Sequence, residues 1–286
     1  SINYLASLAG EGAWHGEANV LSERHLARWK GIELGVEACL KPQTAKENYP
    51  TKLASPFIST AENLKAATII RHRRSAQEYD GESYITKDAF FLMLDACLPR
   101  SGQAPWDIAP YKTAIHLFIF VHRVDGLKPG LYALPRNIDV VSYLKQRCDK
   151  EFLWSRVDDV PVHLPLYLLQ PGDAMRVAKG ISCGQDIAAD GAFSLGMLAE
   201  YKAGLKVGAW GYRRLFWEAG MLGHVLYLEA EAAGVRGTGI GCFLDDVMHD
   251  LLGLEDDTFQ ILYHFTVGIP VIDSRLKTIA PYAHLK

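Results

Sequence analysis

The pattern of apolar and polar positions divides the chain into two stretches of different character. Residues 1–55 are rich in polar positions, read as mixed helix and loop, and lead into a linker bracketed by Pro50 and Pro56. Beyond it the periodicity sharpens. Ser59 and Glu62 form a capping box ahead of Leu64, Ala67 and Ile70, which predicts a helix closing in the basic run 71–74. Phe90, Phe91, Leu94 and Cys97 share one stripe of a second helix over 87–98. The unbroken apolar run 114–124 suits a central strand covered on both faces, and the turn after it leads to a hairpin partner at 131–134. A helix over 172–180, a buried strand over 192–201, a long helix over 213–234, a short helix over 245–254 and a last strand over 259–270 follow. The helix 213–234 is apolar nearly all round, so it belongs in a core or against a partner subunit. Ala219, Gly220 and Gly223 leave room on it for another backbone. Strands and helices mix without a regular βαβ alternation, which predicts an α+β fold.

Composition adds limits rather than direction. A chain of 286 residues buries roughly three quarters of its unfolded surface, enough for one large core. Thirty basic against 33 acidic residues give a net charge of −3 with no basic block, so no nucleic-acid partner is expected. No apolar run is long enough to span a bilayer, and the first residues lack a secretory pattern, so a cytoplasmic protein without membrane association is expected. The five cysteines are odd in number and widely spread, which predicts reduced thiols rather than a disulfide framework or a zinc site.

Several familiar motifs fail. The run Gly237-Thr-Gly-Ile-Gly241 has the wrong spacing for a dinucleotide fingerprint, since Cys242 stands where the last glycine belongs, and it follows a helix. His116 and His122 share a strand face but read as packing residues rather than metal ligands. A hydrolase using Ser75 or Cys242 would lack a base at suitable spacing.

Three segments carry chemistry together. Arg73, Arg74 and Ser75 offer paired N–H donors and a hydroxyl matched to phosphate oxygens, although basic residues in a last helical turn also offset the helix dipole. Gly239, Gly241 and Cys242 form a turn whose backbone N–H groups can approach a flat ligand. The third is 267–275, an apolar strand running into a loop that ends in Arg275.

In order and spacing these segments resemble the nitroreductase superfamily. The resemblance implies an α+β sandwich, a mostly antiparallel sheet flanked by helices, working with FMN as a homodimer that holds the flavin at its interface. It implies an N-terminal extension over 1–55 and an FMN-binding domain over 56–286. Arg73, Arg74, Ser75 and Arg275 would hold the phosphate, with Gln77 where the family usually has a basic residue. The backbone at Gly241 and Cys242 would face the flavin ring. The segments 121–134, Pro99–Gln103 and Trp14-His15 are similar to the SagB-type dehydrogenase branch, which implies Ser101 beside the flavin and a peptide, amino-acyl or other small-molecule substrate. That branch's lysine–tyrosine acid/base pair becomes Lys206-Val207 here, and valine has no proton to give. A catalytically degenerate partner or scaffold protein is the alternative expectation.

Overall fold

The computed structural model describes residues 17, 20, 29, 31–45, 64–108 and 112–283. The linker prolines, the capping box of Ser59 and Glu62, and Trp14-His15 lie outside the described residues. Contacts divide the chain into two compact units, Ser1–Ala38 and Cys39–Lys286. Helix α1 (Gly31–Ala38) of the first unit buries none of its residues. All other elements belong to the second.

Alternation in the strands explains that unit. Ile115, Leu117, Ile119 and Val121 of β1 (Ile115–Val121) enter one apolar core, while Phe118 and Phe120 enter another on the opposite face. Both faces of a strand are then covered, so the run reads as continuously apolar. The described residues form one antiparallel seven-stranded sheet in the order β3 (Ser155–Arg156), β4 (Tyr167–Pro171), β2 (Gly130–Leu134), β1, β5 (Phe193–Ala199), β7 (Gln260–Gly268) and β6 (Arg236–Ile240). The expected α+β sandwich is the observed fold.

Of the helices, α2 (Ala66–His72) is short and exposed, and Lys65 before it offers no side-chain cap. Helix α3 (Lys87–Ala96) is capped by Thr86, whose side chain accepts from the Ala89 N–H at 3.2 Å. Helices α4 (Val141–Arg147), α5 (Met175–Ile181), α6 (Ile187–Asp190) and α7 (Tyr201–Gly204) are short, α8 (Gly211–Ala232) runs for 22 residues, and α9 (Asp245–Leu252) closes the series. Helices α3 and α8 supply one core, and α4, α5 and α9 supply the other. Helix α8 is not buried all round: Tyr212, Phe216 and Trp217 are exposed.

The sequence reading missed three strands. β3 has two exposed residues, and β4 is only partly buried, so neither shows a clear period. The third is a correction: Gly237 and Gly239 lie in edge strand β6, not in a turn. The rings of Phe265 and Tyr263 on β7 lean over them, and a Cβ on Gly239 would overlap the Tyr263 hydroxyl. The open side of β6 is covered by residues 76–79, where Thr238 Oγ1 donates to the Ala76 carbonyl at 2.8 Å and the Tyr79 hydroxyl to that of Arg236 at 3.0 Å.

One polar group sits deep in this frame. Glu218 of α8 accepts the Ala114 N–H at 3.0 Å and pairs with Arg136, whose side chain is fully buried. Arg136 also donates to the Ile115 carbonyl at 3.1 Å and to the Cys97 carbonyl at 2.6 Å, and its guanidinium lies 4.8 Å from the Trp106 ring centre. Its backbone N–H reaches His116 Nδ1 at 3.1 Å, and His116 Nε2 meets Glu200 at 3.2 Å. His116 and His122 are buried and hydrogen-bonded, and no cluster suited to a metal occurs among the described residues.

Glu218→Ala should lower unfolding free energy by about 3–5 kcal/mol in urea titrations, because it strands the Arg136 charge in the interior. A second expectation concerns acid. Burial holds His122 and His264 down at about 4, against an ordinary value of 6.5. Between those limits the unfolded chain binds protons that the folded chain refuses, so stability is full above pH 6.5 and falls towards pH 4. The loss is on the order of 3 kcal/mol per histidine. Urea midpoints across this range should fall less steeply in His264→Phe.

Candidate functional site

The site grows from the end of α2. The chain leaves the helix at Arg73 in extended conformation and runs along the β6 edge. Two further bonds fix it beside the end of β7: Asp80 N–H to the Ile269 carbonyl at 3.1 Å, and Val271 N–H to the Glu78 carbonyl at 2.9 Å.

Tyr227 of α8 organises the corner. Its hydroxyl lies 2.8 Å from the Ser75 hydroxyl and accepts the Gly239 N–H at 2.9 Å. The Arg73 guanidinium lies 5.5 Å from its ring centre, and Arg73 Nε is buried without a hydrogen-bond partner. An unpartnered donor on a cation is an open demand for an anion. Beside Tyr227 is a hollow of about 250 Å³ lined by Phe216, Ala219, Gly220, Gly223, His224 and Tyr263. Burial, and then the neighbouring Tyr227, raise the Tyr263 hydroxyl above its ordinary value.

The other expected residues are distributed unevenly. Arg74 turns back, donating to the carbonyls of Arg71 at 3.0 Å and Arg73 at 2.8 Å. It thus neutralises the end of its own helix, the structural role weighed above. Gln77 is exposed. Gly241, one residue past the last β6–β7 pair, has open space where a side chain would stand. Arg275 is exposed and clamps Asp273 at 2.7 Å, although the chain leading to it departs beside Glu78. Ser101 sits in an exposed turn next to a separate cavity of about 420 Å³ lined by Arg100, Trp106 and Glu229. Glu229 is raised by burial and then by the charge of Asp95. No hydrogen bond or ion pair joins Ser101 or Arg275 to Arg73 among the described residues.

Cys242 requires a correction. It is bonded to Cys183, so the chain does not hold five reduced thiols. The partners lie 59 residues apart and meet only because the fold lays the α5–α6 connection against the β6–α9 turn, a pairing no spacing rule reveals. Lys206 and Val207 are exposed on a short 3-10 turn. Tyr227, the centre of the arrangement, went unnoticed in the sequence because it continues the apolar run of α8.

An antiparallel sheet between helical layers thus carries an arginine, a serine and a glycine strand gathered by one tyrosine. The sequence model of the nitroreductase family matches residues 70–269, and the chain belongs to that family. No curated protein matches the chain in sequence. Among solved structures it is similar to a protein from Anabaena variabilis classed as a nitroreductase, with 23% identity, TM-score 0.54 and 72% of this chain covered. The match spans only 38% of that protein's length. A similarly classed protein from Ralstonia eutropha gives 15% identity and TM-score 0.52, covering 82% of this chain and 98% of its own. The Escherichia coli microcin synthetase McbBCD complex with truncated pro-MccB17 bound gives 15% and 0.52, covering 89% and 85%. These likenesses show the fold.

Tyr227→Phe should cost about 1–3 kcal/mol in urea unfolding, because it leaves the Gly239 N–H without an acceptor beside the sheet edge. Wild-type stability in that variant would mean that the hydroxyl does not organise the corner.

Proposed function

We propose that the chain binds FMN at the Tyr227 corner and acts as a hydride-transferring oxidoreductase on a peptide, amino-acyl or other small-molecule substrate, in the manner of the SagB-type branch. The observation that carries the reading is the buried, unpartnered Nε of Arg73, whose guanidinium lies 5.5 Å from the ring centre of Tyr227, a residue that lines the hollow. Bound flavin would supply the two-electron chemistry itself, so the protein need only hold, orient and shield it. Arg73 and Ser75 would hold the phosphate end, with Arg74 and Gln77 at the rim and Arg275 reaching in from the C-terminal segment after releasing Asp273. Backbone at Gly241 and Cys242 would face the ring.

At about 250 Å³ the hollow is smaller than the 300–1,000 Å³ usual for a ligand site. The missing wall is what a second copy would bring. Tyr212, Phe216 and Trp217 are exposed aromatics on α8, and Phe216 lines the same hollow, which supports a homodimer with FMN at its interface. In that arrangement Ser101 would reach the flavin of the other copy, since it stands apart from Arg73 in its own. The region 56–286 would be the FMN-binding domain and 1–55 an extension. No helix among the described residues is long and apolar enough to cross a membrane. Lys206 is exposed and is assigned no catalytic role.

Purified protein should carry a yellow chromophore released as FMN on denaturation. Arg73→Ala should weaken FMN binding roughly 10- to 100-fold, the worth of a charge-assisted hydrogen bond, and by more than Arg275→Ala. Flavin content is read from absorbance after gel filtration. Unchanged content in the Arg73 variant removes the phosphate assignment.

A further inference from the structure

Cys183 and Cys242 are both exposed; Cys242 lies in the turn assigned above to the flavin ring, and Cys183 in the α5–α6 connection bonded to it. The segments carrying them are held together without the sulfur bridge. Leu244 N–H donates to the Ile181 carbonyl at 2.7 Å, and Gln185 Nε2 donates to the carbonyls of Ser182 at 2.8 Å and Cys242 at 3.1 Å. Opening the bridge therefore leaves two thiols within reach of each other, the condition for reversible closure. Cys183 has a backbone φ of 57°, a left-handed conformation that a non-glycine residue keeps only where its surroundings enforce it. The remaining thiols are unsuited to exchange. Cys97 and Cys148 are buried, and burial pushes both up to about 12. Cys39 has no cysteine partner.

We infer that Cys183–Cys242 is a redox-active disulfide, a second two-electron site that accepts electrons from small or protein dithiols and passes them to the flavin. An attacking thiolate breaks the Cys183–Cys242 bond and forms a mixed disulfide. The donor's second thiol then closes the donor's own disulfide, leaving Cys183 and Cys242 as two thiols. These give two electrons and two protons to oxidised flavin and re-form their S–S bond. Exposed disulfides are the ones open to such exchange. The coupling rests on the FMN reading, whereas exchange at the cysteines does not.

Two measurements separate the parts. Native protein treated with dithiothreitol and then alkylated should gain two modified cysteines per chain, mapped to 183 and 242 by mass spectrometry, and should lose them again after air reoxidation. If these two alkylate only after denaturation, the bridge is structural and the inference is overturned. In anaerobic reductive titration the FMN-loaded protein should take up four electrons per flavin, and Cys183→Ser or Cys242→Ser should take up two. Two-electron uptake by the wild type, with flavin bound, overturns the coupling. A colourless protein whose bridge still opens and closes supports the exchange site and fails the FMN reading instead.

Discussion

The ion pair of Glu218 and Arg136 is the constraint on which the rest of the molecule depends. A carboxylate and a guanidinium out of water are tolerable only when they pair and further hydrogen bonds hold them, so the neighbours that supply those bonds are fixed in position. Here those neighbours come from the end of α3, the start of β1, the chain after β2 and the middle of α8. Four elements distant in sequence are thereby held to one geometry. Nine residues further along α8, about 14 Å up the helix, stands Tyr227. The corner that gathers Ser75, Gly239 and Arg73 is consequently positioned from a buried ion pair anchored on the same helix.

Much of this was legible beforehand, for identifiable reasons. The central strands announced themselves because burial on both faces leaves an unbroken apolar run, and β1, β5 and β7 fell where the pattern put them. Edge elements gave no such signal. β3 is too short, β4 is half covered, and β6 is written in glycines because Phe265 and Tyr263 fill the space side chains would take. Glycine in a strand looks like a turn until the neighbouring strand is known. For the same reason a rejected fingerprint and an unrecognised strand turned out to be one segment.

The site was legible in part. Arg73 and Ser75 reach a common corner, but Arg74 serves its own helix end and Arg275 its own loop aspartate. Residue type at a given spacing says which groups could meet an anion, whereas the direction a guanidinium takes depends on which carbonyls or carboxylates are nearer. Tyr227 illustrates the converse. Its ring belongs to the core period and its hydroxyl to the site, and only the first property is written in the pattern. The Cys183–Cys242 bond is further out of reach, since the two cysteines become neighbours through the sheet and not through the chain.

The strip of chain from Ala76 to Tyr79 has a further consequence. It lies along β6, where an uncovered strand would offer its free N–H and carbonyl groups to any passing chain, and at the opposite margin β3 is only two residues long. The strip that guards the sheet against self-association is continuous with the residues that present Arg73 and Ser75. Solubility and recognition therefore share one short piece of backbone, and a change that loosens it for one purpose exposes the molecule on the other.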